Sequence, residues 1–203
     1  MTTVQIIILV IVLVVIAALV AGAVMAMRRR ALRQRFGPEY DRLVAGEDGR
    51  AAAERELRDR ERRHAQLELK PLPAPARAKY AEEWAQVQTH FVDEPGEAVR
   101  KGDELVTRLL REIGYPTDDY DERIATLSVD HARLLDQYRE AHDISVRNDQ
   151  GSASTEQLRQ ALVDYRALFG ELLGDQQVPP AREPVQTRQE TQQSTVDREG
   201  SDA

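Results

Sequence analysis

The chain has 203 residues, no cysteine and a formal net charge of −7, with 31% charged and only 5% aromatic residues. The absence of cysteine excludes disulfides and thiolate zinc sites. The acidic balance argues against a nucleic-acid partner, because carboxylates and phosphates repel each other. Once the two terminal segments described below are set aside, about 140 residues remain, an ordinary size for one soluble domain.

The first predicted element is an apolar segment, Val4 to Met27, that contains no charged residue. A bilayer core of about 30 Å needs roughly 20 apolar residues in a helix, so this segment can cross a membrane once. A cleaved signal peptide is the alternative, but its apolar core would be about 7–15 residues long and would follow a basic region. We therefore predict a membrane anchor with an arginine collar over residues 1–36 and a location in the cell membrane.

Five arginines without an intervening acidic residue follow the apolar segment: Arg28, Arg29, Arg30, Arg33 and Arg35. We expect them to contact anionic lipid headgroups at the membrane surface. The positive-inside rule then places the remainder of the chain in the cytoplasm. A reversed or cleaved anchor would instead give an envelope-facing or secreted domain.

Two small residues of the apolar segment, Ala18 and Gly22, lie four positions apart. This spacing lets two membrane helices approach closely and makes a homo-oligomer possible. Alanine and glycine are also common in membrane helices that do not associate. We favour this ordinary composition over helix association as the reason for the pair.

A charged helical stalk that ends in a proline hinge is predicted over residues 37–76. Gly37-Pro38 should end or kink the first helix, because proline lacks an amide donor and restricts the residue before it. Residues 50–69 combine strong helix formers with few apolar side chains, which is typical of a solvated spacer and leaves His64 exposed. Three stabilising i, i+4 pairs are expected in it, Glu54–Arg58, Glu56–Arg60 and Asp59–Arg63. The prolines at 71, 73 and 75 then favour an extended, stiff segment.

Four amphipathic helices are predicted within residues 77–175, near 77–92, 96–113, 119–147 and 155–173. In the first, an apolar stripe at helical spacing favours a face that packs in the core over an aromatic ligand box: Tyr80, Trp84, Val87 and Phe91. No stretch alternates convincingly with a period of two. The sequence therefore predicts an all-α fold with an antiparallel four-helix-type bundle, followed by a disordered tail over residues 176–203, which is poor in apolar residues.

Signals for the ends of these helices are present in the sequence. Gly114-Tyr115-Pro116 should stop the second helix, and the Asp118, Asp119 and Asp121 cluster should cap the third rather than bind a cation. Ser154 and Gln157 have the spacing of a capping box at the start of the fourth. Within the third, Ser128 could cap a restarted helix, or the run from Thr126 to His131 could be a break.

The common catalytic and nucleotide-binding motifs are absent, including GxGxxG, GxxxxGK[ST], HExxH and GxSxG. We therefore predict no catalytic residue, no metal ligand and no cofactor. His131 and His142 lie eleven residues apart, which is about 16 Å on one helix face and too far for one metal ion. The candidates for a ligand site between bundle helices are Trp84, His131, Tyr138 and His142, with Asp130 beside the first histidine.

The order of elements resembles a group of single-pass membrane proteins from high-GC Gram-positive bacteria that has no assigned activity. The matching pieces are the anchor and seven short segments: 35–41 (RFGPEYD), 80–84 (YAEEW), 91–93 (FVD), 114–116 (GYP), 127–131 (LSVDH), 138–142 (YREAH) and 165–169 (YRALF). The resemblance implies a membrane-anchored helical domain and brings no catalytic residues with it.

Two functional hypotheses follow from the sequence. The first is a membrane-anchored cytoplasmic helical module that binds a protein partner without catalysing a reaction, since a polar stalk and an acidic bundle come without a cofactor motif. The second is a small-molecule sensor or enzyme with its site between bundle helices.

Overall fold

The computed structural model describes residues 3–46 and 49–174, and this part of the chain contains eight α-helices and no strand. The helices are α1 (Thr3–Phe36), α2 (Pro38–Gly46), α3 (Arg50–His64), α4 (Ala74–His90), α5 (Pro95–Ile113), α6 (Tyr120–Asp130), α7 (Leu135–Asp149) and α8 (Thr155–Leu173), with a 3₁₀ turn at Ala132–Leu134. The predicted all-α class is confirmed. The predicted disordered tail, residues 176–203, lies outside the described residues.

Helix α1 is continuous from the apolar segment through the arginines to Phe36. Gly37 then takes a left-handed conformation (φ 47°), and Pro38 is the first residue of α2. Within the described residues, one helix, over Ile11–Phe36, is long and apolar enough to cross a membrane.

The end of α1 belongs to a small hydrophobic core built with α2, α3 and the end of α6. Its buried members come from all four helices: Leu32, Phe36, Tyr40, Leu57 and Val129. We call residues 28–46 and 49–64 the proximal unit. Because the helix that leaves the apolar segment also supplies core residues, α1 and the proximal unit form one packed structure.

The prediction of a solvated stalk over residues 50–69 is wrong. Helix α3 ends at His64, and both Ala53 and Leu57 are fully buried. Its thin apolar side is sufficient because α3 packs against α1, α2 and α6 around Leu57. Of the three expected i, i+4 pairs, Glu56–Arg60 forms at 2.9 Å. The other two do not form, because Glu54 pairs with Arg29 and Asp59 pairs with Arg62.

The predicted proline hinge is also packed rather than free. Residues 67–73 are extended, but the Lys70 amide donates to the Ile113 carbonyl at 2.8 Å and Leu72 is buried in the larger core. Gly114 has φ 113°, and a Cβ added there would lie 2.8 Å from the Glu68 carbonyl oxygen. The segment therefore lies directly against the end of α5.

The larger core lies between α4, α5, α7 and α8, and α6 contributes to its edge. We call residues 65–174 the distal unit. The stripe on α4 faces this core as predicted, with Tyr80, Trp84 and Val87 buried. The predicted end signals act as expected at two helix starts: Asp119 accepts from the Glu122 amide at 2.7 Å, and Ser154 with Gln157 forms the complete capping box.

The single helix predicted over residues 119–147 is broken in the structure. Helix α6 ends at Asp130, and His131 (φ −121°) leads into the 3₁₀ turn before α7. Ser128 does not cap a new helix, because its buried hydroxyl donates to the Ala125 carbonyl at 2.6 Å. Thr126 bonds back to the Glu122 carbonyl in the same way, and such back-bonding loosens a helix toward its end.

Candidate functional site

Two of the predicted candidates, Tyr138 and His142, lie in one polar network between α5, α6, α7 and α8. His142 Nδ1 lies 3.6 Å from Asp103 Oδ1, and its ring stacks on Tyr120 with centroids 4.2 Å apart. The Asp103 and His142 side chains are 24% and 26% exposed. The pair therefore lies at the rim of the core, where solvent can reach it.

Two tyrosines and one arginine extend the network inward. The Tyr165 hydroxyl donates to Asp103 Oδ1 at 2.6 Å, and Arg123 Nη1 donates to the Tyr138 hydroxyl at 2.9 Å. Arg123 is buried and also donates to the Thr117 carbonyl at 2.7 Å. These bonds give the buried cation and the buried hydroxyls partners, which lowers the cost of their desolvation.

The network shifts the protonation of its members. Burial acts to raise the pKa of Asp103, but the neighbouring His142 and the Tyr165 hydroxyl outweigh it, so that the pKa is lowered. Burial raises the pKa of Tyr120 to about 12, and it raises the pKa of Tyr138 and Tyr165 as well. The carboxylate is therefore held ionised and the phenols neutral at neutral pH.

The third candidate, His131, belongs to a different cluster at the boundary of the two units. Its Nε2 lies 3.3 Å from the Tyr115 hydroxyl and its Nδ1 contacts Glu171. His64, predicted to be exposed, lies on the other side of Tyr115 and pairs with Asp130 at 3.0 Å. We expected His131 and His142 on one helix face. They do not share one, because the helix ends at Asp130, before His131.

The fourth candidate, Trp84, has no contact with either histidine cluster among those described. It is fully buried and stacks on Phe169 with ring centroids 4.6 Å apart, beside Gly102. This position is that of a core residue. Within the described residues, no group of three or more His, Asp or Glu side chains is placed to hold a metal ion.

The arginine collar divides into two groups. Three members form ion pairs inside the protein: Arg29 with Glu54 at 3.2 Å, Arg33 with Asp41 at 3.3 Å and Arg35 with Glu61 at 3.2 Å. Arg35 also donates to the Val129 carbonyl. These contacts join α1 to α2, α3 and α6, but the three side chains are 48%, 68% and 48% exposed, so the expectation that all five arginines contact lipid stays a prediction.

A surface groove between α4 and α5 was not anticipated from the sequence. Its volume is about 680 Å³, and it is lined by charged and polar side chains over two apolar ones: Lys79, Glu82, Glu83, Gln86, Val87, His90, Lys101, Glu104, Leu105 and Arg108. The polar positions that flank each apolar stripe were visible in the sequence, but the pairing of α4 with α5 was not.

No protein-family model matches the chain, no curated protein matches its sequence, and no solved structure matches its fold.

Proposed function

We propose that the chain is a membrane-anchored, cytoplasmic helical module that binds a protein partner through the α4–α5 groove, with α4, α5, α7 and α8 as an antiparallel four-helix-type bundle. The observation that carries this proposal is the groove itself, whose floor is apolar and whose rim is charged. Apolar floors with polar rims are the usual anatomy of peptide-binding surfaces.

The chemistry of the rim selects the partner. Arg108 contacts Glu83 across the groove, and Lys101 lies 3.4 Å from His90. Glu82 and Glu104 line the same groove without a cationic partner among the described residues. A helical or extended segment with basic side chains beside apolar ones would satisfy both carboxylates and cover Val87 and Leu105.

Site-specific crosslinking tests this proposal. A photoreactive phenylalanine analogue placed at Gln86, in the groove, should capture a discrete membrane-associated protein in intact cells. The same analogue at Gln137, an exposed position on α7, is the matched control and should capture nothing. Glu82→Lys together with Glu104→Lys should abolish the product at Gln86, because it reverses the charge that the partner meets.

The proposal fails if position 86 gives no product, or if the product survives the charge reversal. Equal capture at positions 86 and 137 would also refute it, since that result indicates crowding at the membrane rather than recognition. Mass spectrometry of the captured segment checks the expected basic and apolar composition.

A second function is favoured by one observation, the Asp103–His142 pair, whose side chains are each about a quarter exposed. Such a pair can bind a small polar ligand at the rim of the core. We propose His142→Gln as the test, with Glu140→Gln as the control, because Glu140 is exposed on the same helix and lies outside the α4–α5 groove. If the test variant alone loses the activity of the protein in cells, at unchanged stability, the result supports a sensor or enzyme. If both variants keep that activity, the second function is refuted.

A further inference from the structure

The proximal unit carries five arginines for which the described part of the chain offers no carboxylate partner: Arg28, Arg30, Arg50, Arg55 and Arg58. In contrast, ion pairs engage Arg29, Arg33 and Arg35. The unpaired group therefore draws on two helices, α1 and α3. A charge without an internal partner is available to an external one.

The ion pairs fix the direction of α3 relative to α1. Arg29 pairs with Glu54, and six residues later Arg35 pairs with Glu61, both at 3.2 Å. Residue numbers increase together along the two helices, so α3 runs parallel to α1 and away from the apolar segment. The first turn of α3 therefore points back toward the membrane.

The helical rise gives the level of each arginine. At about 1.5 Å per residue, Arg50 lies about 6 Å closer to the membrane than Glu54, level with Met25 at the end of the apolar segment. Arg58 lies about 6 Å on the other side of Glu54, level with Arg33. Measured along the axis of α1, all five unpaired arginines thus lie within about 10 Å of the end of the apolar segment. This height is roughly one Debye length in physiological salt.

We propose that α3 is a second membrane contact: together with Arg28 and Arg30 of α1, its arginines Arg50, Arg55 and Arg58 form a surface that binds anionic phospholipid headgroups. The inference rests on the proposed insertion of α1 in a bilayer, and it holds for either orientation.

The distribution of charge supports this arrangement. Residues 28–64 contain twelve arginines and eight acidic residues, two of which, Glu47 and Asp48, lie outside the described part. Residues 65–174 contain 13 basic and 21 acidic residues. An anionic surface attracts the first unit and repels the second, so the field itself favours the orientation with the proximal unit against the lipid.

Fluorescence quenching in nanodiscs tests the proposal on the full chain. The chain has no cysteine, so Ala51→Cys, an exposed position in the first turn of α3, can carry the only fluorophore. Lipids with a nitroxide on the headgroup serve as quenchers, in discs of phosphatidylcholine alone or with phosphatidylglycerol. We expect stronger quenching in the anionic discs and loss of that difference in 1 M salt, where the Debye length is about 3 Å.

The variant that decides the question is Arg50→Gln, Arg55→Gln and Arg58→Gln combined. Each arginine near an anionic surface changes the ratio of lipid-bound to unbound α3 about fivefold, so the triple variant should lower this ratio on the order of 100-fold. The difference in quenching between anionic and neutral discs should then disappear. The matched control removes three positive charges from the distal unit, with Lys70→Gln, Lys79→Gln and Arg133→Gln. This variant should still be quenched more strongly in the anionic discs than in the neutral ones.

Equal quenching of the wild type in both lipids, or an anionic increase that survives in the triple variant, overturns the proposal. Quenching that depends on the arginines in neutral discs alone would also overturn it, because the contact would then not select anionic lipid. Failure of the anchor is recognised separately, since the protein would not co-elute with the discs. No protein partner is present, so the result is independent of the α4–α5 groove.

Discussion

The most buried carboxylate of the proximal unit, Glu39, links the two units. It is 3% exposed and accepts hydrogen bonds from Arg60 at 2.9 Å and from Arg139 at 2.8 and 2.9 Å. Burial acts to raise the pKa of Glu39, but the two guanidinium groups outweigh it and the pKa is lowered. A lowered carboxyl pKa contributes stability above the ordinary value near 4.5, and this contribution is lost as the pH falls through the native pKa.

We expect Glu39→Gln to destabilise the protein by about 3 kcal/mol at pH 7, because it leaves two partly buried guanidinium groups without their carboxylate. Urea unfolding in detergent micelles measures the change. The difference from the wild type should shrink as the pH falls through the lowered pKa of Glu39, because the wild-type carboxylate then also becomes protonated. Glu140→Gln, on the exposed side of α7, is the control and should cost less than about 0.5 kcal/mol. Equal effects of the two substitutions would contradict the role of Glu39.

Gly114 combines a left-handed backbone with a close approach. Its φ is 113°, and an added Cβ would meet the Glu68 carbonyl oxygen at 2.8 Å. Gly114→Ala should therefore cost more than Gly151→Ala, where φ is 69° but the space is open. We expect about 1 kcal/mol at Gly151 from backbone strain alone and at least twice that at Gly114. Urea unfolding midpoints of the two variants give the comparison. Equal losses of stability would show that the segment around Glu68 moves aside at no cost.

Helix α3 is the element whose environment differs most from the expectation. Leu57 is fully buried against the end of α1 and α6, although its helix is otherwise rich in charge. Leu57→Ala should then cost about 2–5 kcal/mol, as for other fully buried leucines. Val163→Ala, a truncation on the exposed side of α8, should change the free energy of unfolding by less than about 0.5 kcal/mol. A free stalk would tolerate both substitutions equally.

Local sequence signals predicted the elements of the distal unit well. The stripe on α4, the glycine stop of α5 and the capping box of α8 depend on residues within one turn or one helix, and each is visible in the sequence. The burial of α3 was missed because its partner faces lie on α1, α2 and α6, up to about 70 positions away. A pair such as Arg139 with Glu39, separated by 100 residues, leaves no local pattern.

The candidate polar site was predictable to the same extent. Tyr138 and His142 are four residues apart on one helix, so their shared face follows from helical geometry. Asp103 and Tyr165 are contributed by other helices and could not be assigned to them in advance. His131 was wrongly placed on the same face, because the hydroxyl groups that bond back within α6 end the helix at a point where the apolar pattern continues.

On the scale of the whole molecule, α1 would set the position of the distal unit relative to the proposed membrane. About 13 Å of helix separates Met27 from Phe36, and most of it is already packed in the proximal unit. The distal unit is then joined to the proximal one by the buried Glu39–Arg139 ion pair and by more exposed pairs such as Arg42–Asp136. The proposed partner groove is accordingly held at a defined height and direction, which restricts the partners to those that reach the same layer.

The proposed orientation, with this layer on the cytoplasmic side of the membrane, is checked by cysteine labelling. Ser152→Cys, an exposed position between α7 and α8, supplies the only thiol of the chain. We expect a membrane-impermeant maleimide to label it only after the cells are opened, because the positive-inside rule keeps this end in the cytoplasm. Thr2→Cys is the reciprocal control and should react in intact cells. Labelling of position 152 in intact cells would contradict the proposed orientation, and the partner of the groove would then belong to the cell envelope.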